Sequence, residues 1–411
     1  MQPLAVLGGA QTDFARNFAR EGSSLFDVMR ATTEAALRDA GLAWGDIETV
    51  HVGNFTAELF AQQGQLGGFF PSMHEDLVGV PSARHEAACA SGSVALLAAS
   101  AELQAGLYDV ALVLGVEQMR NVDGATAAAH LGVAAFHGRE AEGARFVWPS
   151  LFAEVARFYQ ERYGISPDDG LAWSAQMFRS AARNPLAQTR SWTFPEGSLT
   201  QDDGLNPLVE APLRRFDCGQ ITDGVAALVL VSQRFLARLA EREVAALRGF
   251  GHRTAPMLLR DKLGRAETAH GALPFPEVRT TVEQARARAG WDPEAHADVV
   301  ELHDCFSVTG LMLLHHLGLA APAELGRRIA NNEFAGEGPC AVNPGGGLIG
   351  LGHPVGATGV RMVLDIARQL TGQAGSTQVD GARRGQTLNI GGSATTTVSF
   401  ALETRSSRQL S

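Results

Sequence analysis

Residues 86–93 (EAACASGS) place Cys89 in a run of small side chains that leads into an apolar stretch. This pattern predicts a helix that is buried nearly all round, with the thiol at its N-terminus. The helix dipole and the free N–H groups there favour a thiolate. The small turn would also let the sulfur project into a cleft while its own N–H faces a developing oxyanion, which is typical of a nucleophile. The alternative is an inert cysteine buried among alanines.

His353 lies in a second stretch that could do chemistry, a glycine-rich loop that runs into GATG at residues 356–359. So many glycines predict that the backbone closely approaches another segment or a ligand. Pro354 fixes the histidine in this loop, where it is well placed to accept a proton from a thiol. The alternatives are a loop histidine paired with the backbone, and a loop that cradles a phosphate.

The tetrapeptide HDCF at residues 303–306 supplies a second thiol, Cys305, beside another histidine, His303. Each of the three stretches alone is a weak signal. Neither alternative for the glycine-rich loop explains why the same chain also carries Cys89 and Cys305. Together the stretches indicate nucleophilic catalysis by a cysteine with histidine assistance.

The elements that must position these residues show an internal duplication. Residues 39–54 and 288–304 share the order helix end, glycine stop, polar loop and buried strand. The small-residue turns after Cys89 and His353 each open an apolar helix, which leads to a strand-forming stretch. Those stretches are residues 110–116 and 387–402. Alternating strands and helices predict βαβ units, mostly parallel sheets and two similar halves packed together. Chance similarity is the alternative.

The segment 120–213 differs from the rest of the chain, because it is rich in helix-forming stretches and its last part is studded with prolines. We interpret it as an inserted loop domain that acts as a lid over the site. The first half then comprises residues 1–119 and 214–250. The second half comprises residues 251–411.

Composition limits the possible functions. A chain of 411 residues with 45% hydrophobic and 19% charged residues can bury a large core. Its net charge of −10 disfavours nucleic acid as a partner, and its apolar runs are shorter than the roughly 18 to 20 residues that span a bilayer. Lys262 is the only lysine, which disfavours pyridoxal phosphate or Schiff-base chemistry. No nucleic acid and no membrane span are predicted.

Cysteine and histidine spacing predicts no disulfide framework and no metal. The four cysteines are widely separated, without a Cys-x-x-Cys pair, which fits free thiols in a reducing compartment. Four further histidines have no ligand partner at a useful spacing; they are His130, His137, His315 and His316. The ends of the sequence, MQPLAVLGG and RQLS, resemble neither a secretory leader nor a peroxisomal address, which predicts a cytoplasmic protein.

Four stretches together resemble the thiolase superfamily, and in particular its sterol-carrier-protein-2-type branch. They are EAACASGS at 86–93, DCGQITDGVAA at 217–227, HDCF at 303–306 and GHPVGATG at 352–359. The resemblance extends from about residue 4 to residue 402. It implies an α/β fold of duplicated βαβ halves in a five-layered αβαβα arrangement, and a homodimer or dimer of dimers. It also implies thiolysis of 3-ketoacyl-CoA or the reverse Claisen condensation.

The resemblance also implies roles for individual residues. Cys89 would carry the acyl group, His353 would activate it, and the N–H groups of Cys89 and Gly391 would form one oxyanion hole. Acyl-coenzyme A thioesters are then the substrates, coenzyme A is substrate or product, and no cofactor is expected. Arg214 and Arg215 are candidates for binding the coenzyme A phosphates.

One departure from many thiolases concerns the acid/base. Many members have Asn-Glu-x-Phe where this chain has HDCF, and a second catalytic cysteine where it has Asn389. The amide of Asn389 does not titrate, so it cannot move the Cα proton and can only orient groups or bind substrate. Cys305 can move that proton, and the resemblance implies that it does. His303 and His353 would then polarise the thioester oxygen.

Two other functions stay open at this point. The chain could be a thiolase-fold aldolase or acyltransferase that works with a small partner protein, or a non-catalytic coenzyme A-binding scaffold. A scaffold has no need for four reactive side chains, so catalysis is favoured. These side chains are Cys89, His303, Cys305 and His353.

Four phenylalanines lie within residues 54–71, a glycine-dense and apolar stretch. They could line an acyl tunnel, but a place in the core or on a dimer face is favoured, as expected for a surface buried by a twofold partner. The residues are Phe55, Phe60, Phe69 and Phe70.

Overall fold

The computed structural model describes residues 3–268, 273–292, 295–336 and 338–409. The prediction of a cytoplasmic protein uses residues 1, 2, 410 and 411, which lie outside the described residues. The strands are β1 Leu4–Gln11, β2 Thr49–Gly53, β3 Ser82–His85, β4 Val110–Glu117, β5 Leu208–Glu210, β6 Leu213–Arg214, β7 Gly224–Ser232, β8 Glu243–Thr254, β9 Val299–Leu302, β10 Ala341–Val342, β11 Arg384–Gly391 and β12 Thr396–Ser406.

Helices alternate with these strands along much of the chain. They are α1 Leu25–Ala40, α2 Ala57–Phe60, α3 Phe70–Met73, α4 Ser91–Gln104, α5 Gly124–Gly132, α6 Val147–Tyr163, α7 Pro167–Ala182, α8 Gln233–Leu236, α9 Leu259–Thr268, α10 Pro276–Ala289, α11 Ser307–Leu317, α12 Leu325–Ala330 and α13 Thr358–Leu370. Within the described ranges, none of the helices has both the length and the apolar character that crossing a bilayer requires.

Ten strands form one continuous sheet with a symmetric order, β10-β9-β11-β12-β8-β1-β7-β4-β2-β3. β8 and β1 pair antiparallel at its centre. On each side of this centre the next strand is also antiparallel, and the outer three strands run parallel to one another. Because both sides repeat the same order, the predicted duplication into two similar halves is confirmed.

The prediction of mostly parallel sheets is wrong, since β7, β1, β8 and β12 run antiparallel to their neighbours. In the second half the reason is a tight turn. The predicted single stretch 387–402 is a hairpin in which β11 and β12 flank residues 392–395. Two strands joined by so short a connection must run antiparallel, whereas parallel strands need a long crossover.

Three apolar clusters define five layers. On β4, Leu112 and Leu114 pack with α1, whereas Ala111 and Val113 belong to a cluster shared with α4 and α13. Val398 of β12 joins that same cluster, so α4 and α13 lie between the two halves of the sheet. A third cluster packs α10 and α11 against the other face of β9 and β11. This order of helix, sheet, helix, sheet and helix confirms the predicted αβαβα arrangement.

The segment 120–213 packs onto the second half. Its helices α6 and α7 join the cluster around α11, where the rings of Phe152 and Phe306 stack with centroids 4.7 Å apart. α7 also supports the glycine-rich loop, because a Cβ on Gly350 would lie 2.6 Å from the carbonyl oxygen of Met177. The lid function and the three-part division of the chain stay predictions. The predicted boundary between residues 250 and 251 falls within β8.

Candidate active site

Cys89 lies in the 3₁₀ turn Ala88–Ala90, immediately before α4, where the sequence predicts it. Ala88 has a φ of 49°, a left-handed conformation that costs an alanine about 1–2 kcal/mol. The hydroxyl of Ser91 fastens this turn, since it donates to the carbonyl of Ala88 at 2.6 Å and accepts from the N–H of Ala87 at 2.9 Å. The strained turn therefore presents the thiol at the start of a buried helix.

The thiol of Cys89 is neutral at physiological pH. Burial raises its pKa to about 12, and the carboxylate of Glu117 acts in the same direction. The N–H of Gly392 forms a hydrogen bond with the sulfur and lowers the pKa, but by less. Burial therefore outweighs the thiolate stabilisation that the sequence predicts from the helix N-terminus. The proton must leave as the sulfur attacks, so a base is needed beside it.

His353 presents a ring nitrogen, Nε2, that carries no proton. Its Nδ1 lies 2.7 Å from Oγ1 of Thr358, and this hydroxyl donates to the carbonyl oxygen of Pro354 at 2.9 Å. A hydroxyl has only one hydrogen, so His353 must donate from Nδ1 and keep a lone pair on Nε2. Nε2 is buried and has no hydrogen-bond partner among the described residues. Burial and then the charge of Arg361 lower the pKa of His353 to about 3, so its ring is neutral and can accept a proton.

His303 presents the opposite tautomer. The amide nitrogen of Asn389 lies 2.8 Å from its Nδ1, and the hydroxyl of Ser93 donates to the amide oxygen of Asn389 at 2.8 Å. The amide is thereby oriented with its NH₂ towards the ring, which leaves the ring proton on Nε2. Burial and then the proximity of His353 lower the pKa of His303 well below its usual range. The neutral ring can therefore donate a hydrogen bond to a substrate oxygen.

The structure brings three of the predicted side chains together. The sulfur of Cys89 and one ring nitrogen each of His303 and His353 lie within 4.8 Å of one another. The two imidazole rings meet edge to face, with centroids 4.9 Å apart and planes at 88°. A thiol, a proton acceptor and a proton donor thus share one small space.

A sulfur and two imidazole nitrogens at this separation are also ligands that Zn²⁺ accepts. The group Cys89, His303 and His353 could therefore hold a metal ion, although the sequence predicts none. The function proposed below uses the three side chains for acyl and proton transfer.

Cys305 lies just before α11 and is buried. Its sulfur is 3.8 Å from Oγ1 of Thr309, a hydroxyl that donates to the carbonyl oxygen of Phe306 at 2.5 Å. Because that hydroxyl hydrogen is already used, the thiol of Cys305 is the donor to Thr309. Burial and then the proximity of Cys89 raise the pKa of Cys305 well above its usual range. Cys305 therefore lies near the nucleophile as a neutral S–H group that can give up a proton.

The predicted oxyanion residue Gly391 lies directly against the nucleophile turn. A Cβ at this position would be 2.2 Å from the carbonyl oxygen of Ala87, so only glycine lets β11 approach the turn this closely. The next residue, Gly392, directs its N–H at the sulfur of Cys89 and was not singled out from the sequence. The oxyanion hole of Cys89 and Gly391 stays a prediction.

The predicted substrate-binding residues differ in whether their side chains are already bound to other residues. Asn389 is fully buried and bonded to His303, so it orients that ring. Nη1 of Arg214 is bonded to Asp203 at 2.7 Å. Arg215 is exposed, with its guanidinium 5.5 Å from the centre of the Phe216 ring. Arg215 is therefore the better candidate for a phosphate contact.

The four phenylalanines of residues 54–71 divide into two pairs. Phe55 and Phe60 belong to a small apolar cluster against which Cys89 packs, which fits the acyl-tunnel alternative. Phe69 and Phe70 pack in the cluster around α1, as expected for core residues.

Two buried carboxylates hold the backbone around His353, and the sequence does not single them out. Glu117, at the end of β4, accepts from the N–H of Gly356 at 3.0 Å. Asp304 accepts from the N–H of Leu348 at 2.7 Å. Burial raises the pKa of each carboxyl to about 7. An acid that ends an otherwise apolar strand, and the acid within HDCF, are the signals that could have identified them.

Comparison with known proteins agrees with this geometry. Residues 4–234 match the family model for the N-terminal domain of thiolase, and residues 266–404 match the model described as thiolase C-terminal domain-like. An acetyl-CoA acetyltransferase from Methanothermobacter thermautotrophicus is 32% identical over 395 residues, which cover 95% of this chain and 97% of that protein. Sterol carrier protein 2 from Oryctolagus cuniculus is 26% identical over 407 residues, which cover 96% of this chain and 71% of that protein.

Solved structures share the fold. The Ltp2-ChsH2(DUF35) aldolase matches with a TM-score of 0.79 and 21% identity, over 100% of this chain and 99% of that chain. The Acat5 thiolase from Ascaris suum in complex with coenzyme A matches with a TM-score of 0.65 and 19% identity, over 98% of this chain and 100% of that chain. Both family models match, and the Methanothermobacter relative matches over close to its full length. The chain therefore belongs to the thiolase family, and within it to the sterol-carrier-protein-2-type branch.

Proposed function

We propose that this chain transfers acyl groups through an acyl-Cys89 intermediate, by thiolysis of 3-ketoacyl-CoA or the reverse Claisen condensation. The observation that carries the proposal is the meeting of a thiol, a proton-accepting imidazole and a proton-donating imidazole within 4.8 Å. Two relatives named acetyl-CoA acetyltransferase, 32% and 34% identical, support it. Coenzyme A is substrate and product, and no further cofactor is proposed.

In the first half-reaction of thiolysis, Nε2 of His353 takes the proton of Cys89 as the sulfur attacks the C3 ketone of the substrate. The alkoxide that forms is stabilised by the N–H groups of Cys89 and Gly391. The C2–C3 bond then breaks, which leaves an acyl group on Cys89 and the enolate of acetyl-CoA. The Nε2–H of His303 hydrogen-bonds the enolate oxygen, and the S–H of Cys305 delivers a proton to C2.

In the second half-reaction, the thiol of a free coenzyme A attacks the acyl-enzyme. The thiolate left on Cys305 takes the proton of the incoming thiol, and the departing sulfur of Cys89 recovers its proton from protonated His353. Each group thereby returns to its starting state. Condensation follows the same steps in reverse.

The protonation states at rest suit this sequence of events. His353, whose pKa burial lowers to about 3, is unprotonated at rest, so its Nε2 is open to the proton of Cys89. Cys305, whose pKa is raised by burial, starts as an acid. Thiolysis begins from this state. In condensation, Cys305 first gives its proton to the departing coenzyme A sulfur and then takes a proton from C2 of the second acetyl-CoA.

Coenzyme A carries phosphates that need cationic partners in a protein with a net charge of −10. Arg215 is exposed, whereas Arg214 is held by Asp203. We therefore assign a phosphate contact to Arg215 and a supporting role to Arg214.

We also propose that the protein is a homodimer or a dimer of dimers. β3 is the last strand of the sheet and, among the described residues, pairs only with β2. A free strand edge pairs readily with a second chain, and cyclic dimers are the commonest soluble oligomers. We expect light scattering to give twice the mass of the chain, or a multiple of that. A monomer that turns over substrate would contradict this proposal.

A cytoplasmic location, and binding of a small partner protein, are further proposals. Free thiols in all four cysteine positions fit a reducing compartment. Co-purification of the tagged chain from its host would test for a partner, and activity of the chain alone would make that partner dispensable.

The central test is the covalent intermediate. Incubation with acetyl-CoA or acetoacetyl-CoA should add an acyl mass to the intact protein, because Cys89 is the thiol that has a base beside it. Peptide mapping should locate the adduct on Cys89, and Cys89→Ala should abolish it.

Cys340→Ala is the matched control, since it removes a buried thiol that is not part of the group Cys89, His303 and His353, and it should keep the adduct. An adduct on another residue, or none with any thioester, would favour a scaffold that binds coenzyme A without catalysis.

A further inference from the structure

Lys262, the only lysine of the sequence, lies on α9 and is buried beneath the turn that follows β11. It is 2% exposed. Its Nζ donates to the carbonyl oxygen of Ser393 at 2.7 Å, to Oγ of Ser393 at 2.7 Å and to Oγ1 of Thr395 at 2.9 Å. These three bonds use all three hydrogens of an ammonium group. The charged form is fully paired, whereas a neutral amine could donate only two of these bonds.

The turn that Lys262 holds consists of residues 391–395. It is closed by a hydrogen bond from the N–H of Thr395 to the carbonyl of Gly391 at 3.0 Å. Gly392 and Ala394 have φ values of 61° and 60°, and this left-handed conformation is uncommon for alanine. Ser393 is 4% exposed, so its carbonyl oxygen has little contact with bulk water. The turn therefore depends on Lys262 to pair its buried oxygen atoms.

The same turn reaches the nucleophile. Gly391 lies against the carbonyl of Ala87, and the N–H of Gly392 is bonded to the sulfur of Cys89. A shift of the turn would move both N–H groups relative to the reacting carbon. A misplacement of about 1 Å in such a group can cost about 10²-fold in rate.

We propose that Lys262 is a positioning residue for acyl transfer, whose ammonium fixes the turn 391–395 so that the N–H groups of Gly391 and Gly392 face the acyl oxygen and the sulfur of Cys89. The inference rests on the proposed function, because an oxyanion hole matters only if Cys89 is acylated. In this proposal Lys262 contributes to the reaction although it does not contact the substrate.

Burial and the charges around Lys262 set its pKa, and therefore the pH range in which its ammonium holds the turn. Burial lowers its pKa to about 8, opposed by the carboxylates of Glu140, between α5 and α6, and Glu277 on α10. The turn 391–395 carries no titratable side chain. The other charged side chains of the first two turns of α9 are Arg260, Asp261 and Arg265. Since the ammonium is present below the pKa and lost above it, kcat should fall as the pH rises through about 8.

Lys262→Met tests the proposal, because it keeps the length of the side chain and removes the charge. We expect kcat for acyl transfer to fall on the order of 10- to 10²-fold with little change in KM, and the decline of kcat above pH 8 to disappear. Disulfide formation between Cys89 and methyl methanethiosulfonate should change far less, since that reaction forms no oxyanion.

Two further variants keep the test decisive if Lys262→Met folds poorly. Ser393→Ala removes one acceptor while the charge and two bonds remain, so we expect a smaller loss of kcat. Losing an acceptor disfavours the ammonium, so the alkaline decline should also shift to lower pH. Arg260→Met removes a cation on the same helix. The side chain of Arg260 is 71% exposed, so this variant should behave as the wild type.

The outcomes separate this inference from the proposed function. If the wild type forms acyl-Cys89 and Lys262→Met forms it as fast with the same pH profile, Lys262 does not position the turn. If disulfide formation falls as much as acyl transfer, the damage is general and the inference is again overturned. If the wild type forms no acyl-enzyme at all, the proposed function itself fails.

Discussion

Cys305→Ala should still accept an acetyl group from acetyl-CoA on Cys89, yet lose thiolysis and condensation by roughly 10²- to 10⁴-fold. Acylation by acetyl-CoA moves no proton at C2, and coenzyme A can depart as a thiolate without the proton of Cys305. Breaking or forming the C2–C3 bond also needs a proton moved at C2, and the thiol of Cys305 is the group placed to move it. Intact-protein mass spectrometry would follow the acylation, and steady-state assays in both directions would follow the full reaction.

Asn389→Ala is the informative comparison for this variant. It removes the hydrogen bond that fixes the tautomer of His303 but no titrating group, so its cost should be smaller. Near-normal turnover by Cys305→Ala combined with an inactive Asn389→Ala would show that the acid/base lies elsewhere. The assignment to the sterol-carrier-protein-2-type mechanism would then be wrong, although the family would stand.

His353→Ala should lose acylation itself, again by roughly 10²- to 10⁴-fold. The pKa of Cys89 is about 12, so at neutral pH very little thiolate exists unless a base takes the proton during attack. Rapid-quench measurement of acyl-Cys89 with acetyl-CoA would give the rate. The loss should shrink as the pH rises, because hydroxide then supplies the missing base.

Thr358→Val and His137→Ala serve as controls for this prediction. Thr358→Val keeps the ring of His353 but removes the oxygen that binds its Nδ1–H, so both tautomers become accessible and a smaller loss is expected. His137 is exposed and lies outside the site, so its removal should leave the rate unchanged. Acylation of His353→Ala at the wild-type rate would mean that another group deprotonates Cys89.

Much of the fold could be predicted from local sequence pattern. The small residues around Cys89 predict a turn into a buried helix, and that is where the structure has it. The similarity of residues 39–54 and 288–304 predicts two related halves, and the symmetric strand order confirms it. Such features depend on neighbours in the chain, which a sequence shows directly.

The direction of several strands could not be predicted in the same way. The sequence predicts one strand where the structure has the hairpin of β11 and β12, because the turn, residues 392–395, has only one glycine and no Pro, Asn or Asp. That turn is stabilised from outside by Lys262, which lies more than one hundred residues away in the sequence. Turn chemistry that depends on a distant partner leaves no local signal.

The protonation states of the site also depend on contacts between distant segments. Ser93 on α4 orients Asn389 on β11, which orients His303 after β9, and only the folded chain joins the three. The sequence predicts a favoured thiolate at Cys89 from the helix terminus, whereas burial dominates in the structure. Desolvation is a property of the whole fold and cannot be read from the residues beside the sulfur.

The symmetric sheet divides the reactive groups between its two sides. Cys89 opens α4 on one side, while His353 precedes α13 on the other, and the two helices meet so closely that a Cβ on Gly92 would lie 2.7 Å from the carbonyl oxygen of Gly356. Neither half alone carries both Cys89 and His353. During refolding, activity should therefore return only with the long-range docking of the halves, which is slow compared with the formation of local helices.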